Sequence, residues 1–301
     1  MKHHDLPGIR LHEDVPLFRE ALSFTAARTA FPAGLVEKDY FCTVLLAHLG
    51  SVAGEHVFKG GTCLAKVYGE FYRLSEDMDF AISMPPEASR AERRKKIATL
   101  KDAIVSLPKN AGCFDAVDPL HGANDSTRYL GAVRYKSHLD GQSQKLQIEI
   151  SLRELLLRPV TTGLAKTLLL DPVSDKPAIE AFSVRCIDAT EALAEKFRAA
   201  LTRREVAIRD FYDIAHAVRN LGVAPMDAEF LSLVRMKLAI PGNESVNVSA
   251  ERHSQLRKQL DGRLKPVLRR RDFDGFDLDG TFAVVAQVAE AITGKPGNQE
   301  R

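Results

Sequence analysis

Residues 58–82 read FKGGTCLAKVYGEFYRLSEDMDFAI. The segment opens on a strand-like run, His56-Val57-Phe58-Lys59, which Gly60-Gly61 stops. Thr62 stands as an N-cap for a helix carrying Leu64, Val67 and Tyr68. Met78–Ile82 reads as a second strand, closed by Met84-Pro85-Pro86. Asp77 and Asp79 lie two apart at its start, so both project to one face while Met78 points to the other. Two like charges on one face repel unless something positive sits between them, and a hard divalent cation such as Mg²⁺ takes oxygen ligands and bridges to phosphates. The strand–Gly-Gly-Thr–helix turn upstream offers N–H groups and a positive helix end to an anion. Glycine there lacks the Cβ that would obstruct a phosphate. Asp-x-Asp alone is common at strand ends and Gly-Gly alone at plain turns. Their order and separation point to phosphoryl or nucleotidyl transfer, in which metal ions activate a hydroxyl and steady the leaving pyrophosphate.

Working outward, residues 15–30 and 34–49 carry apolar residues at helical spacing, with Pro32 and Gly34 at their junction. A charged helix is expected over 87–107. Residues 128–136 and 145–152 alternate as strands around an Asp140-Gly141 turn, and Phe182–Ile187 forms one more. Residues 158–177 mix loop with short elements. From Asp188 the pattern is helical: 189–203, 207–221, 227–238, 250–268 and 281–293, before a frayed tail GKPGNQER. The expected fold class is α+β, with an α+β unit over 1–187 and an all-helical unit over 188–301.

The 42 basic and 40 acidic residues nearly cancel, so net charge selects no partner. Two basic clusters stand out, Arg90–Lys96 and Arg252–Arg271, each either a phosphate-binding patch or a solvated face with intervening acids. No apolar run approaches the roughly 18 residues of a membrane span, and the N-terminus has no apolar signal region. Cys42, Cys63, Cys113 and Cys186 are scattered without metal-type spacing, as expected of reduced thiols in a cytoplasmic protein. Cys63 sits where a helix N-terminus lowers a thiol pKa, yet no general base adjoins it, and packing is its expected role.

The segment resembles the first motif of the AbiEii/AbiGii toxin family of polymerase-β-like nucleotidyltransferases: a Gly-Gly-Thr/Ser turn, a short helix with a basic residue, then Arg-x-Ser-Glu-Asp-x-Asp. Gly60, Gly61, Thr62, Lys66, Arg73, Ser75, Glu76, Asp77 and Asp79 all match. The upstream Glu37-Lys38-Asp39-Tyr40 resembles the family's preceding helix. More loosely, Glu149 matches a third metal carboxylate on a neighbouring strand, although the family's usual residue is aspartate. Lys196 matches a lysine that precedes an Arg-Asp-x-x-Asp stretch, here Arg209, Asp210 and Asp213. The resemblance implies a polymerase-β-like core of mixed sheet and flanking helices. It implies a Mg²⁺-dependent enzyme that moves an NMP from an NTP to an acceptor hydroxyl. In it Asp77, Asp79 and Glu149 hold metal, Gly60, Gly61, Thr62, Lys66 and Arg73 contact nucleotide, and Lys196 neutralises triphosphate charge. Asp210 and Asp213, three apart on one helix face, either serve the nucleotide or tie the helices together. The family further implies the toxin of a type IV toxin–antitoxin or abortive-infection pair with a separately encoded antitoxin, and an RNA acceptor, in some relatives the tRNA 3′ end. Two alternatives remain from the residues: a nucleotide-binding regulator without turnover, and a transferase acting on a small molecule of antibiotic type.

Overall fold

The computed structural model of the chain describes residues 9–294; the ends to which the leader and fraying expectations chiefly apply lie outside that range. The chain divides into two compact units between Asp188 and Ala189.

In the first unit, α1 (Val15–Thr29) starts where the Asp14 carboxylate accepts the Leu17 amide at 3.1 Å. It stops at Ala30, which adopts a left-handed conformation at φ 61°. The next helix, α2 (Ala33–Gly50), is apolar nearly all round and buries Tyr40, Phe41, Val44 and Leu45, the behaviour of a core helix. Then come β1 (His56–Lys59) and α3 (Gly60–Cys63), which runs on into a π-helical turn at Leu64–Tyr68. After β2 (Asp77–Ile82), α4 (Arg90–Val105) opens on a Ser89/Glu92 capping box. The unit is completed by α5 (Leu107–Ala111), β3 (Phe114–Ala123), β4 (Arg128–Lys136), β5 (Ser143–Ser151), β6 (Thr161–Ala165) and β7 (Phe182–Cys186).

The strands form one mixed sheet in the order β3-β4-β5-β2-β1-β7-β6. The central strand β2 is antiparallel to β1 and parallel to β5, and β1 is parallel to β7. Along β2, Met78 and Phe80 are buried while Asp77 and Asp79 are half-buried; along β5, Ile148 and Ile150 are buried while Glu149 is half-buried. One face of the sheet centre therefore carries the core and the other the acids, as the alternation required. On the core side the Phe58 and Phe80 rings lie 5.6 Å apart, and Phe41 of α2 stacks on Tyr135 at 3.9 Å.

The second unit comprises α6 (Ala189–Thr202), α7 (Ile208–Asn220), α8 (Ala228–Leu238), α9 (Ala250–Arg257), α10 (Arg270–Asp274) and α11 (Leu278–Thr293). Phe197, Phe211, Val234, Leu256, Val285 and Val288 are buried in it. The helix expected over 250–268 ends at Arg257 and gives way to a π turn, Leu260–Leu264, and a 3₁₀ turn holding Pro266. Proline carries no N–H to continue an α-helical ladder. Within the first unit the helix after the glycines begins at Gly60, and Thr62 is not its cap: the Thr62 hydroxyl instead donates to the Asp77 carbonyl at 2.5 Å.

Candidate active site

The Gly-Gly turn and the acidic strand are neighbours in the sheet. Lys59 faces Asp79 across the antiparallel β1–β2 pair, so the chain leaves β1 into Gly60 beside the Asp79 side chain. Gly60 has φ +75°, and a Cβ built there would stand 2.8 Å from both Cβ and Cγ of Asp79. Only glycine meets both demands at once. A Cβ on Gly61 would stand 3.1 Å from Ser75 Oγ and 3.2 Å from Arg73 Cζ. What lies against the two glycines is thus the Asp79 carboxylate and the Arg73 guanidinium. With the Thr62–Asp77 bond, the turn meets the strand at two points, Asp77 and Asp79, and the segment before it at Arg73 and Ser75.

Asp77 and Asp79 are both half-buried on one face. Glu149 is the register partner of Asp79 across the parallel β2–β5 pair, and Gln147 that of Asp77. The Glu149 carboxylate, however, is ion-paired with Arg128 of β4. Among the described residues no group of three or more His, Cys, Asp or Glu side chains is arranged to hold a metal. The aspartate pair still suits a hard cation: Mg²⁺ is commonly bound through one or two carboxylates, with water and substrate oxygens filling its octahedron.

Two further motif residues, Arg73 and Lys66, are buried. Arg73 is 2% exposed and donates to the Leu74 carbonyl at 3.1 Å. Lys66 is also buried; its ammonium lies 2.7 Å from the Asp39 carboxylate and 2.7 Å from the Thr43 hydroxyl. Both are walled off within the fold. Between them Glu70 and Phe71 adopt φ 49° and 55°, left-handed values that cost an L-residue energy and cluster near functional sites. Cys63 is buried, and burial raises its thiol pKa well above the ordinary value, so desolvation outweighs the helix end.

Residues beyond the motif core also contribute. The three charges in a row on α2 reach different partners. Glu37 accepts from the Ser137 hydroxyl at 2.7 Å and the His138 amide at 2.6 Å, which anchors the β4–β5 turn. Lys38 pairs with Glu76, the residue before Asp77. Asp39 holds Lys66 and accepts the Leu168 amide at 3.0 Å. Three consecutive charges in an otherwise apolar helix are the sequence signal of such anchoring, since buried charges need partners.

In the helical unit, Lys196 Nζ lies 2.8 Å from Asp210 Oδ1 and 2.8 Å from Asp213 Oδ2, and Arg203 lies 3.0 Å from the other Asp210 oxygen. Burial alone pushes the Asp210 carboxyl up, but Lys196 and Arg203 outweigh it and hold it below the usual carboxylate value. A second buried lysine, Lys237, pairs with Glu191 at 2.6 Å and Glu195 at 3.0 Å; nothing in its spacing announced it.

A family model described as "Nucleotidyl transferase AbiEii toxin, Type IV TA system" matches residues 44–283, which spans the turn, both aspartates, Glu149 and the Lys196 cluster. The chain belongs to the AbiEii family. It is therefore a nucleotidyltransferase of a type IV toxin–antitoxin system, with a nucleotide substrate and an antitoxin partner. Among solved structures it is similar to JHP933 from Helicobacter pylori, at 17% identity and TM-score 0.48 over 87% of this chain and 93% of that one. It is also similar to a candidate nucleotidyltransferase from H. pylori, at 17% identity and TM-score 0.42 over 86% and 90%. A search of curated proteins returned no match. Among the described residues no helix is long and apolar enough to cross a membrane.

Proposed function

We propose that this AbiEii enzyme transfers an NMP from an NTP to an acceptor hydroxyl of RNA with a divalent metal, Mg²⁺ by preference, and that the tRNA 3′ end is its acceptor. The observation that carries the proposal is the close packing of Gly60 on Asp79 and the bond from Thr62 to Asp77, which supports a phosphate site beside a metal site. Asp77 and Asp79 hold the metal. When bound, it supplies charge to the phosphates and lowers the pKa of the attacking hydroxyl. Glu149, in register with Asp79, joins them if substrate draws it from Arg128. Gly61 and Thr62 offer backbone donors to the triphosphate, Arg73 lies against that turn, and Lys66 is held against α2. In the helical unit, Lys196, oriented by Asp210 and Asp213, is the candidate to meet phosphate charge. Neutralising the triphosphate in preorganised geometry is the larger part of such catalysis.

Two readouts test the proposal. Induced expression should arrest growth, and the Asp77→Ala variant should not; arrest by both would separate toxicity from this chemistry. Incubation with labelled NTPs and cell extract should put label into RNA of tRNA length. Label confined to small molecules would select a different acceptor class.

A further inference from the structure

The stretch Arg252–Arg271, basic in sequence, is largely neutralised in the fold. Arg257 pairs with Asp279, Lys265 with Asp261, Arg269 and Arg271 with Asp272, and Arg270 with Asp274. Arg252, at the head of the stretch, has no such acidic partner among the described residues, and neither has Arg204 at the end of α6. A cavity of about 540 Å³ lies past the end of α6, and Arg203, Arg204 and Arg252 line it with Glu244 and Asn247.

Each arginine is held differently. Arg252 is 5% exposed and donates Nε at 3.2 Å and Nη2 at 3.0 Å to the Ala200 carbonyl, and Nη2 at 2.9 Å to the Arg203 carbonyl. These bonds satisfy the orphan carbonyls of the helix end. Its Nη1 has no protein acceptor among the described residues, so a buried cation reaches the cavity with donors to spare. Burial and the neighbouring Arg203 charge both lower the Arg252 pKa, which an anion in the cavity would relieve. Arg204 is exposed and has no partner among the described residues. Arg203 looks both ways: it lines the cavity and pairs with Asp210, which also holds Lys196.

The segment that carries the lining residues Glu244–Asn247 is fixed at both ends. The Asn247 amide donates to the Leu201 carbonyl at 2.9 Å, the Ser249 hydroxyl accepts the Arg252 amide at 3.3 Å, and the Asn243 side chain donates to three carbonyls, of Lys237, Leu238 and Ile240. With Arg203 also paired to Asp210, two further cations, Arg204 and Arg252, stand against one lining acid, Glu244, and such a wall suits a phosphodiester. The volume exceeds what one phosphate needs and falls in the range of pockets that take a nucleotide-sized group.

We propose that this cavity binds the sugar–phosphate backbone of the acceptor RNA, with Arg204 and Arg252 on the phosphate and Arg203 coupling its occupancy to Asp210. The proposal rests on the nucleotidyltransferase reading and deepens it by giving the acceptor a contact in the helical unit. Arg204 is the residue to change, because it is exposed and no fold contact depends on it.

The test measures binding of a fluorescent tRNA to the full-length protein by anisotropy across a potassium chloride series, beside NTP binding by calorimetry. Arg204→Ala should weaken RNA binding about five- to tenfold and make the slope of log affinity against log salt shallower by about one. Arg204→Glu should weaken it further, and Arg204→Lys should bind nearly as the parent does. NTP binding should be the same in all. Parental affinity and slope in Arg204→Ala and Arg204→Glu would overturn the assignment. So would weakened binding of inorganic pyrophosphate with RNA binding intact, which would make the cavity a product site. A parent that releases pyrophosphate on a non-nucleic acceptor and binds no RNA would overturn it while leaving nucleotidyl transfer standing.

Discussion

Replacing Gly60 with alanine separates backbone strain from displacement of the Asp79 carboxylate, the proposed metal ligand. Gly60 sits at φ +75°, where an L-residue pays about 1–2 kcal/mol. Gly141, in the β4–β5 turn, has the same φ of +75°, but a Cβ there meets only Lys136 Cε, at 4.0 Å. Gly141→Ala therefore measures the strain by itself. At Gly60 the added Cβ also stands 2.8 Å from Asp79 Cβ and Cγ, so the root of that side chain must move by the order of 1 Å. A shift of that size in a reacting constellation costs about a hundredfold in rate. Urea denaturation should thus show each variant destabilised by about 1–2 kcal/mol, with any excess at Gly60 reporting displacement. Pyrophosphate release should fall on the order of a hundredfold in Gly60→Ala alone. Gly34→Ala, in α2 with nothing within 4 Å of the new Cβ, should be neutral or slightly stabilising. Full turnover by Gly60→Ala would refute the placement of Asp79 and this turn in one site.

Other outcomes follow from buried charges. Lys66→Met leaves Asp39 buried without its cation and should cost about 3–5 kcal/mol in urea denaturation; Lys66→Met with Asp39→Asn should recover much of that, since an asparagine oxygen can still accept the Leu168 amide. Burial lowers the His12 pKa from 6.5 to about 4, with Glu13 opposing it weakly. A depressed histidine is neutral in the fold and binds its proton first in the unfolded chain, so its contribution is whole above pH 6.5 and is lost as pH falls towards 4. That loss amounts to at most about 3 kcal/mol, and a His12→Gln variant should show a flatter stability profile across this window. Lys196→Met should lower turnover by on the order of a hundredfold or more through lost phosphate neutralisation. An unchanged rate would leave its pairing with Asp210 and Asp213 as purely structural.

The elements legible in the sequence are those whose pattern is enforced by burial on a known face. β2 and β5 alternate because one face is core and the other carries acids, and α2 is apolar because it is enclosed. The two strands that escaped notice, β3 and β6, are the two sheet edges. β3 contains Pro119 and shifts register between Phe114 and Ala116 and again between Asp118 and His121, so no clean alternation survives in FDAVDPLHGA. β6 is TTGLA, and its Gly163 lets the strand approach Cys186, whose Sγ would lie 2.9 Å from a Cβ there. At the site, residue types and spacing marked the turn and the aspartates. They did not show that Lys66 and Arg73 are walled off, that Glu149 is held by Arg128, or that Arg203 reaches Asp210. Those facts depend on which charges fold brings together over long separations, for which spacing carries no signal. Cys63 shows the same limit, since local helix position argued for a lowered pKa and tertiary burial reversed it.

The most direct test of the central claim is pyrophosphate release from each of the four NTPs with RNA present, with and without Mg²⁺, by the parent and by Asp79→Asn. The substitution keeps the volume beside Gly60 and removes one charge. Metal-dependent release is expected from the parent, with a loss of about a thousandfold or more in Asp79→Asn. Equal release by both proteins would contradict that claim.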